Sequence, residues 1–190
     1  LFSLIHVTTF CLYTANYRRL RKGRGYVRGV KQSLDAMPWA QKITKAAFVL
    51  STLFVLISFW LNKREYGFFE ISLPIRALGI LLSFVAFLFL KKSLDQLGEN
   101  YSPLFDTHRP FFIVTKGLYK YIRHPVYLCN MMILLGYVIA SGSAVVLVFS
   151  LWGWGYIVTS IRKEESFLAR EFADYREYQK RSWRVLPYVF

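Results

Sequence analysis

The chain has 190 residues, the length of one domain or of two small ones, and its 25 Lys and Arg against 11 Asp and Glu leave a formal charge of +14. Hydrophobic residues make up 55% and aromatic residues 18%, which excludes an intrinsically disordered chain. The basic charge alone would suit a nucleic-acid binder, but the excess of apolar residues would not. Both properties are compatible when basic and apolar residues occupy separate blocks of the chain, as in a membrane protein.

The first half of the chain contains three apolar blocks. Residues 1–17 are uncharged, residues 43–62 contain only Lys45, and residues 71–90 contain only Arg76. About 20 apolar residues cross a bilayer as a helix, so each block predicts a transmembrane helix. Basic residues follow the first block rather than precede it, which favours a helix over a signal peptide. The chain does not begin with Met, which leaves open that residues precede Leu1.

The longest apolar block, residues 126–161, carries no charge in 36 positions and is interrupted only by Ser141-Gly142-Ser143. It predicts two somewhat short helices in a hairpin, and the chain is therefore predicted to be an all-α integral membrane protein with about five transmembrane helices. The segments 18–42, 91–125 and 162–190 hold 21 of the 25 basic residues. By the positive-inside rule these segments are cytoplasmic and the amino terminus is outside.

Two features at the cytoplasmic end of the hairpin carry chemical information. Arg123-His124-Pro125 leads into the fourth helix, where Pro125 suits the first turn and His124 lies near the positive end of the helix dipole. Glu164-Glu165 stands at the inner end of the fifth helix. Taken separately, these residues are also typical of a headgroup anchor and a solvated helix end. The hairpin makes them neighbours, which predicts a polar pocket at the lipid boundary.

After the Glu pair, the apolar positions from Phe167 to Tyr178 keep roughly helical spacing. They predict a cytoplasmic amphipathic helix at the carboxyl end, lying on the membrane or folding over the pocket. The three His and two Cys residues fall in separate segments without the spacing of ligands, so no metal site is predicted.

The order G-L-Y-K-Y-I-R-H-P-V-Y, an uncharged hairpin, E-E-S-F-L-A-R-E-F, then Y-R-E-Y and L-P resembles the isoprenylcysteine carboxyl methyltransferase family, which belongs to a wider group with the phospholipid N-methyltransferases. The resemblance covers residues 94–190 and implies a methyltransferase module there, with residues 1–93 as amino-terminal membrane helices and a basic loop. It implies S-adenosylmethionine as the cofactor. The cofactor contacts that it implies are Phe111, Phe112, Ile113, Val114, Tyr119, His124, Pro125, Val126, Tyr127 and Glu164.

The expected roles of these residues follow from their chemistry. Donors of the His124–Tyr127 turn would hold the methionine carboxylate, and Glu164 would accept hydrogen bonds from the ammonium or from ribose hydroxyls. The faces of Tyr119 and Tyr127 would stabilise the sulfonium. Uncharged helices beside the pocket predict a lipophilic small-molecule or lipidated acceptor, with membrane lipids as the other partner and no nucleic acid.

The chain departs from the family pattern at two positions. It has Phe111 where relatives commonly have His, and Ser160 where relatives carry a substrate-binding Arg. Arg162 and Arg184 are the candidate replacements, and they are the predicted catalytic residues. The carboxyl-terminal part of sterol reductases, which binds NADPH, resembles the same module, so a reductase-like protein and a non-catalytic membrane protein are the alternatives.

Overall fold

A computed structural model describes residues 69–100 and 112–186, without the side chain of Glu99, and the single positions Leu50, Leu53 and Ile57. The predicted spans 1–17 and 43–62 and the basic segment 18–42 lie outside the described residues, except for those three helical positions. The described ranges fold into helices α1 (Leu73–Leu97), α2 (Pro125–Ser141), α3 (Ala144–Glu171) and α4 (Tyr175–Arg181), with 3-10 turns at Gly98–Asn100 and Gly117–Lys120.

Helices α1 and α3 are long and apolar enough to cross a membrane, and α2 is a shorter apolar helix. Their 25 and 28 residues correspond to about 37 and 42 Å, more than the ~30 Å hydrocarbon core of a bilayer. Helix α1 includes the predicted span 71–90 from Leu73 onward and continues to Leu97, so the predicted domain boundary between residues 93 and 94 falls inside it.

The turn of the α2–α3 hairpin falls at Gly142 and Ser143, where the sequence predicts it. Gly142 adopts φ +64°, in the left-handed region that glycine tolerates best, and the Ser143 hydroxyl accepts a 3.4 Å hydrogen bond from the amide of Val146. Arg76 donates from Nη1 to the carbonyls of Ala140 and Ser141, at 2.9 and 3.1 Å. The one charge of the predicted third span therefore caps the carboxyl end of α2.

Small residues bring α1 and α2 into backbone contact. A Cβ atom on Gly136 would lie 2.5 Å from the carbonyl oxygen of Gly79, and the hydroxyl of Ser83 donates to the Ile133 carbonyl at 3.2 Å. Glycine and serine are common at such crossings in membranes, where close packing rather than the hydrophobic effect holds helices together. The other face of α1 exposes large apolar side chains that suit lipid, among them Leu73, Leu78, Leu81, Phe84, Leu88 and Phe89.

The carboxyl-terminal segment does not continue α3 as the single amphipathic helix that the sequence predicts. Helix α3 ends at Glu171, Phe172 is extended, and α4 begins at Tyr175. The chain turns here because Tyr175 and Tyr178 are buried against the rest of the protein. Beyond α4, Trp183 forms a parallel β-bridge with Ile122, which attaches the tail to the segment that precedes α2.

Candidate functional site

Three segments meet at one end of the hairpin: residues 122–127, which lead into α2, the last turns of α3, and the tail from Tyr175 to Val185. Backbone hydrogen bonds join the first of these segments to the third. The amides of Arg123 and His124 donate to the carbonyls of Trp183 and Arg184 at 2.8 and 3.1 Å. The tail therefore lies directly over the R-H-P and Glu-Glu sequences. Of the two arrangements expected for it, on the membrane or over the pocket, the structure shows the second.

Glu165 is the ionic centre of this region. Its side chain is 5% exposed, and its two oxygens accept separate 2.7 Å hydrogen bonds from Nε of Arg123 and Nε of Arg184. Arg123, whose side chain is 8% exposed, also donates from Nη1 to the carbonyls of Gln179, at 3.0 Å, and Ser182. Because a buried charge is costly unless it is paired, these contacts hold α3, the R-H-P segment and the tail together.

Glu164 faces a different set of groups, although it is adjacent to Glu165. One of its oxygens accepts a 2.8 Å hydrogen bond from the Tyr127 hydroxyl and lies 3.9 Å from Nδ1 of His124. Its side chain is 39% exposed, so the carboxylate is open to a ligand from one side. Successive helical residues are about 100° apart, which is why one Glu of the pair contacts the tail and the other contacts Tyr127.

His124 immediately precedes α2 and is buried, with its ring centroid 5.4 Å from that of Tyr127. Its Nε2 lies 3.4 Å from a Glu165 oxygen but makes no aligned hydrogen bond within the described part of the chain. The Tyr175 hydroxyl is also buried there without a hydrogen-bond partner. Two such atoms in the region of Glu165 and Glu164 indicate that the residues present fit a polar ligand, and the amino-acid end of S-adenosylmethionine is a ligand of that kind.

The remaining predicted cofactor residues differ in how deeply they are buried. Tyr119 is buried, and its carbonyl accepts a 2.5 Å hydrogen bond from the Tyr178 hydroxyl, so it lies under the tail. Pro125 and Val126 are buried in the first turn of α2, Ile113 and Val114 are half-buried, and Phe112 is 60% exposed. Phe111 lies outside the described residues.

The two predicted catalytic arginines have different surroundings. Arg162 is exposed on α3, whereas Arg184 is held by Glu165 and reaches the site from the tail. Sequence reasoning missed Arg123 and Glu165 as an ion pair and Tyr175 as a member of the site. The signals were present in the Arg of R-H-P, the second Glu and the first Tyr of Y-R-E-Y, but nothing in their spacing showed which groups would meet.

The part of the chain that the structure describes is helical, contains two candidate membrane spans and gathers polar side chains at one end of its helical hairpin. A family model described as phospholipid methyltransferase matches residues 74–175. The chain belongs to this family of S-adenosylmethionine-dependent methyltransferases, which includes the isoprenylcysteine O-methyltransferases, and the resemblance seen in the sequence is confirmed.

Two relatives that are named methyltransferases agree with this assignment. The chain is 33% identical over 98 residues to the protein-S-isoprenylcysteine O-methyltransferase of Schizosaccharomyces pombe, covering 50% of this chain and 42% of the relative. It is 27% identical over 154 residues to the enzyme of the same name from Dictyostelium discoideum, covering 74% and 60%. A 76-residue match, 36% identical, joins it to the cobalt-zinc-cadmium resistance protein CzcN of Cupriavidus metallidurans, covering 40% and 35%.

The fold is also that of a solved membrane enzyme. The eukaryotic intramembrane Ras methyltransferase ICMT superposes with a TM-score of 0.57 at 18% identity, covering 76% of this chain and 52% of that one. The chain thus spans about half the length of the proteins it matches.

Proposed function

We propose that this protein is an S-adenosylmethionine-dependent methyltransferase that modifies a lipophilic acceptor at the cytoplasmic face of a membrane. The observation that carries the proposal is the group formed by His124 and Tyr127 at the start of α2 with Glu164 near the end of α3. There, a half-exposed carboxylate is oriented by a 2.8 Å hydrogen bond from a tyrosine, beside a buried imidazole. Family membership supports the same cofactor.

The residues present account for both charged groups of the cofactor's amino-acid end. Glu164 is oriented by Tyr127 to accept hydrogen bonds from an ammonium group, and the amino-terminal end of α2 favours a carboxylate. The face of Tyr127 suits a cation. When bound, the cofactor supplies an electrophilic methyl group, and the chain's own contribution is to hold the acceptor in line and exclude water.

The acceptor is proposed to enter from the lipid. Along their apolar spans, α1 and α3 expose large apolar side chains, including Phe89 on α1 and Leu151 and Trp152 on α3. An acceptor with an apolar body and a polar tip could move along these helices, whereas a small hydrophilic acceptor would gain nothing from them. If the tip is anionic, Arg162 and Arg184 are the candidate groups to hold it.

The cofactor assignment is tested by titrating the purified full chain with S-adenosylhomocysteine and, separately, with NADPH. Glu164→Gln should weaken S-adenosylhomocysteine binding at least about tenfold, or about 1.4 kcal/mol, because the carboxylate charge is lost. Glu171→Gln, an exposed change about two turns further along α3, is the matched control. Binding of NADPH but not of S-adenosylhomocysteine would contradict the proposal.

The acceptor is tested by incubating the protein with a membrane extract and methyl-labelled S-adenosylmethionine. The label should enter the organic phase. Treatment with base then distinguishes the acceptor atom, since a methyl ester releases methanol and an N-methyl group does not. Label found only in water-soluble metabolites would refute a lipophilic acceptor.

A further inference from the structure

Tyr175 is the first residue of α4 and one of the most completely buried large side chains in the described part of the protein, at 1% exposure. The interruption at Phe172–Asp174 turns the chain so that this side chain points inward from the tail. Its ring packs edge-on against Tyr178, with the centroids 5.9 Å apart. The tail therefore places a phenol in the region where α3 and the R-H-P segment meet.

The Tyr175 hydroxyl has no hydrogen-bond partner among the described residues, although it is shielded from solvent. Its neighbour Tyr178 shows the usual arrangement, since that hydroxyl donates to the carbonyl of Tyr119. A buried hydroxyl without a partner costs free energy that a phenylalanine of the same shape would not. The hydroxyl at position 175 is therefore expected to have a partner that the described residues do not supply.

The surroundings of the hydroxyl restrict what that partner is. Burial raises the pKa of Tyr175 well above its ordinary value, and the charges of Glu165 and Glu164 raise it further, so the phenol stays protonated and can donate. Arg123 and Arg184 both pair with Glu165, and with the adjacent Glu164 these side chains carry two positive and two negative charges. A site with balanced charges of both signs suits a zwitterion, such as the ammonium and carboxylate of an amino acid.

Building on the proposed function, we propose that Tyr175 is a further cofactor-binding residue whose hydroxyl hydrogen-bonds the amino-acid end of the bound cofactor or its product. His124, whose Nε2 also lacks an aligned hydrogen bond, is the second donor to the same end. The tail helix is then one wall of the cofactor site and not only a cover, and cofactor binding stabilises its docked position.

The test compares Tyr175→Phe with Tyr121→Phe, a control at a tyrosine that is 62% exposed. Binding of S-adenosylhomocysteine and of methylthioadenosine, which lacks the amino-acid end, is measured by calorimetry on the full chain in detergent. Tyr175→Phe should weaken S-adenosylhomocysteine binding about fivefold, the value of one hydrogen bond, and leave methylthioadenosine binding unchanged. Tyr121→Phe should change neither.

Thermal unfolding of the ligand-free protein gives an independent readout. Because the hydroxyl has no partner among the described residues, Tyr175→Phe should leave the unfolding temperature of the ligand-free protein unchanged or raise it. A lower unfolding temperature with unaltered S-adenosylhomocysteine affinity would show a structural hydroxyl and overturn the proposal, as would equal weakening for both ligands. If the unmodified chain binds neither ligand, the proposed function itself is wrong.

Discussion

The ion pairs of Glu165 yield the most quantitative prediction. Glu165→Gln keeps the shape of the side chain but removes the charge that compensates two arginines. The Arg123 side chain is 8% exposed and that of Arg184 is 33% exposed. Most of the lost stability should therefore come from Arg123, whose buried charge would no longer be paired. Breaking a buried ion pair costs ~3–5 kcal/mol, whereas a more exposed pair contributes ~1 kcal/mol or less.

The lower end of that range applies here, because Arg123 keeps its carbonyl acceptors at Gln179 and Ser182. We expect Glu165→Gln to lower the free energy of unfolding by about 3 kcal/mol. For a chain of this size that corresponds to a fall of roughly 6–12 °C in the unfolding temperature. The loss should be accompanied by faster trypsin cleavage after Lys180 and Arg181, because the tail is released from α3.

The assay is thermal unfolding of the ligand-free protein in detergent, with Glu164→Gln as the control. That control removes the charge of the adjacent residue but leaves both arginines paired with Glu165. We expect it to change the free energy of unfolding by about 1 kcal/mol or less. Combining Glu165→Leu with Arg123→Met should cost less than the sum of the two single changes, since each alone strands a charge. Equal shifts for the two Gln variants, or additive costs in the double variant, would refute the role of Glu165 in holding Arg123 and the tail to α3.

Two further predictions concern the helices. Gly136→Ile should lower the unfolding temperature more than Gly155→Ile does. A Cβ atom at 136 meets the backbone of α1, whereas one at 155 has no atom of the described residues within 4 Å. Equal shifts measured by thermal unfolding would contradict close α1–α2 packing. For topology, single cysteines at Lys31 and Gly67, both outside the described residues, should be labelled by an impermeant thiol reagent from opposite sides of the membrane, and labelling from the same side would exclude the five-helix arrangement.

Several features of this protein could be predicted from the sequence because each depends on local properties of the chain. The uncharged stretch 126–161 is too long for one span. Its sequence Ser141-Gly142-Ser143 interrupts the run of apolar residues, so a hairpin at Gly142 could be predicted from the sequence. The hairpin in turn requires His124 and Glu164 to lie at the same end. The family motifs added the cofactor, because their order and spacing are specific.

The tertiary structure alone decided which groups at that end contact one another. The rotation of α3 about its own axis determines that Glu165 faces Arg123 and Glu164 faces Tyr127, and adjacent carboxylates carry no sequence signal for that choice. The break before α4 contains neither Gly nor Pro. It follows from the burial of Tyr175 and Tyr178 against residues distant in sequence, a packing preference that periodicity along the chain does not reveal.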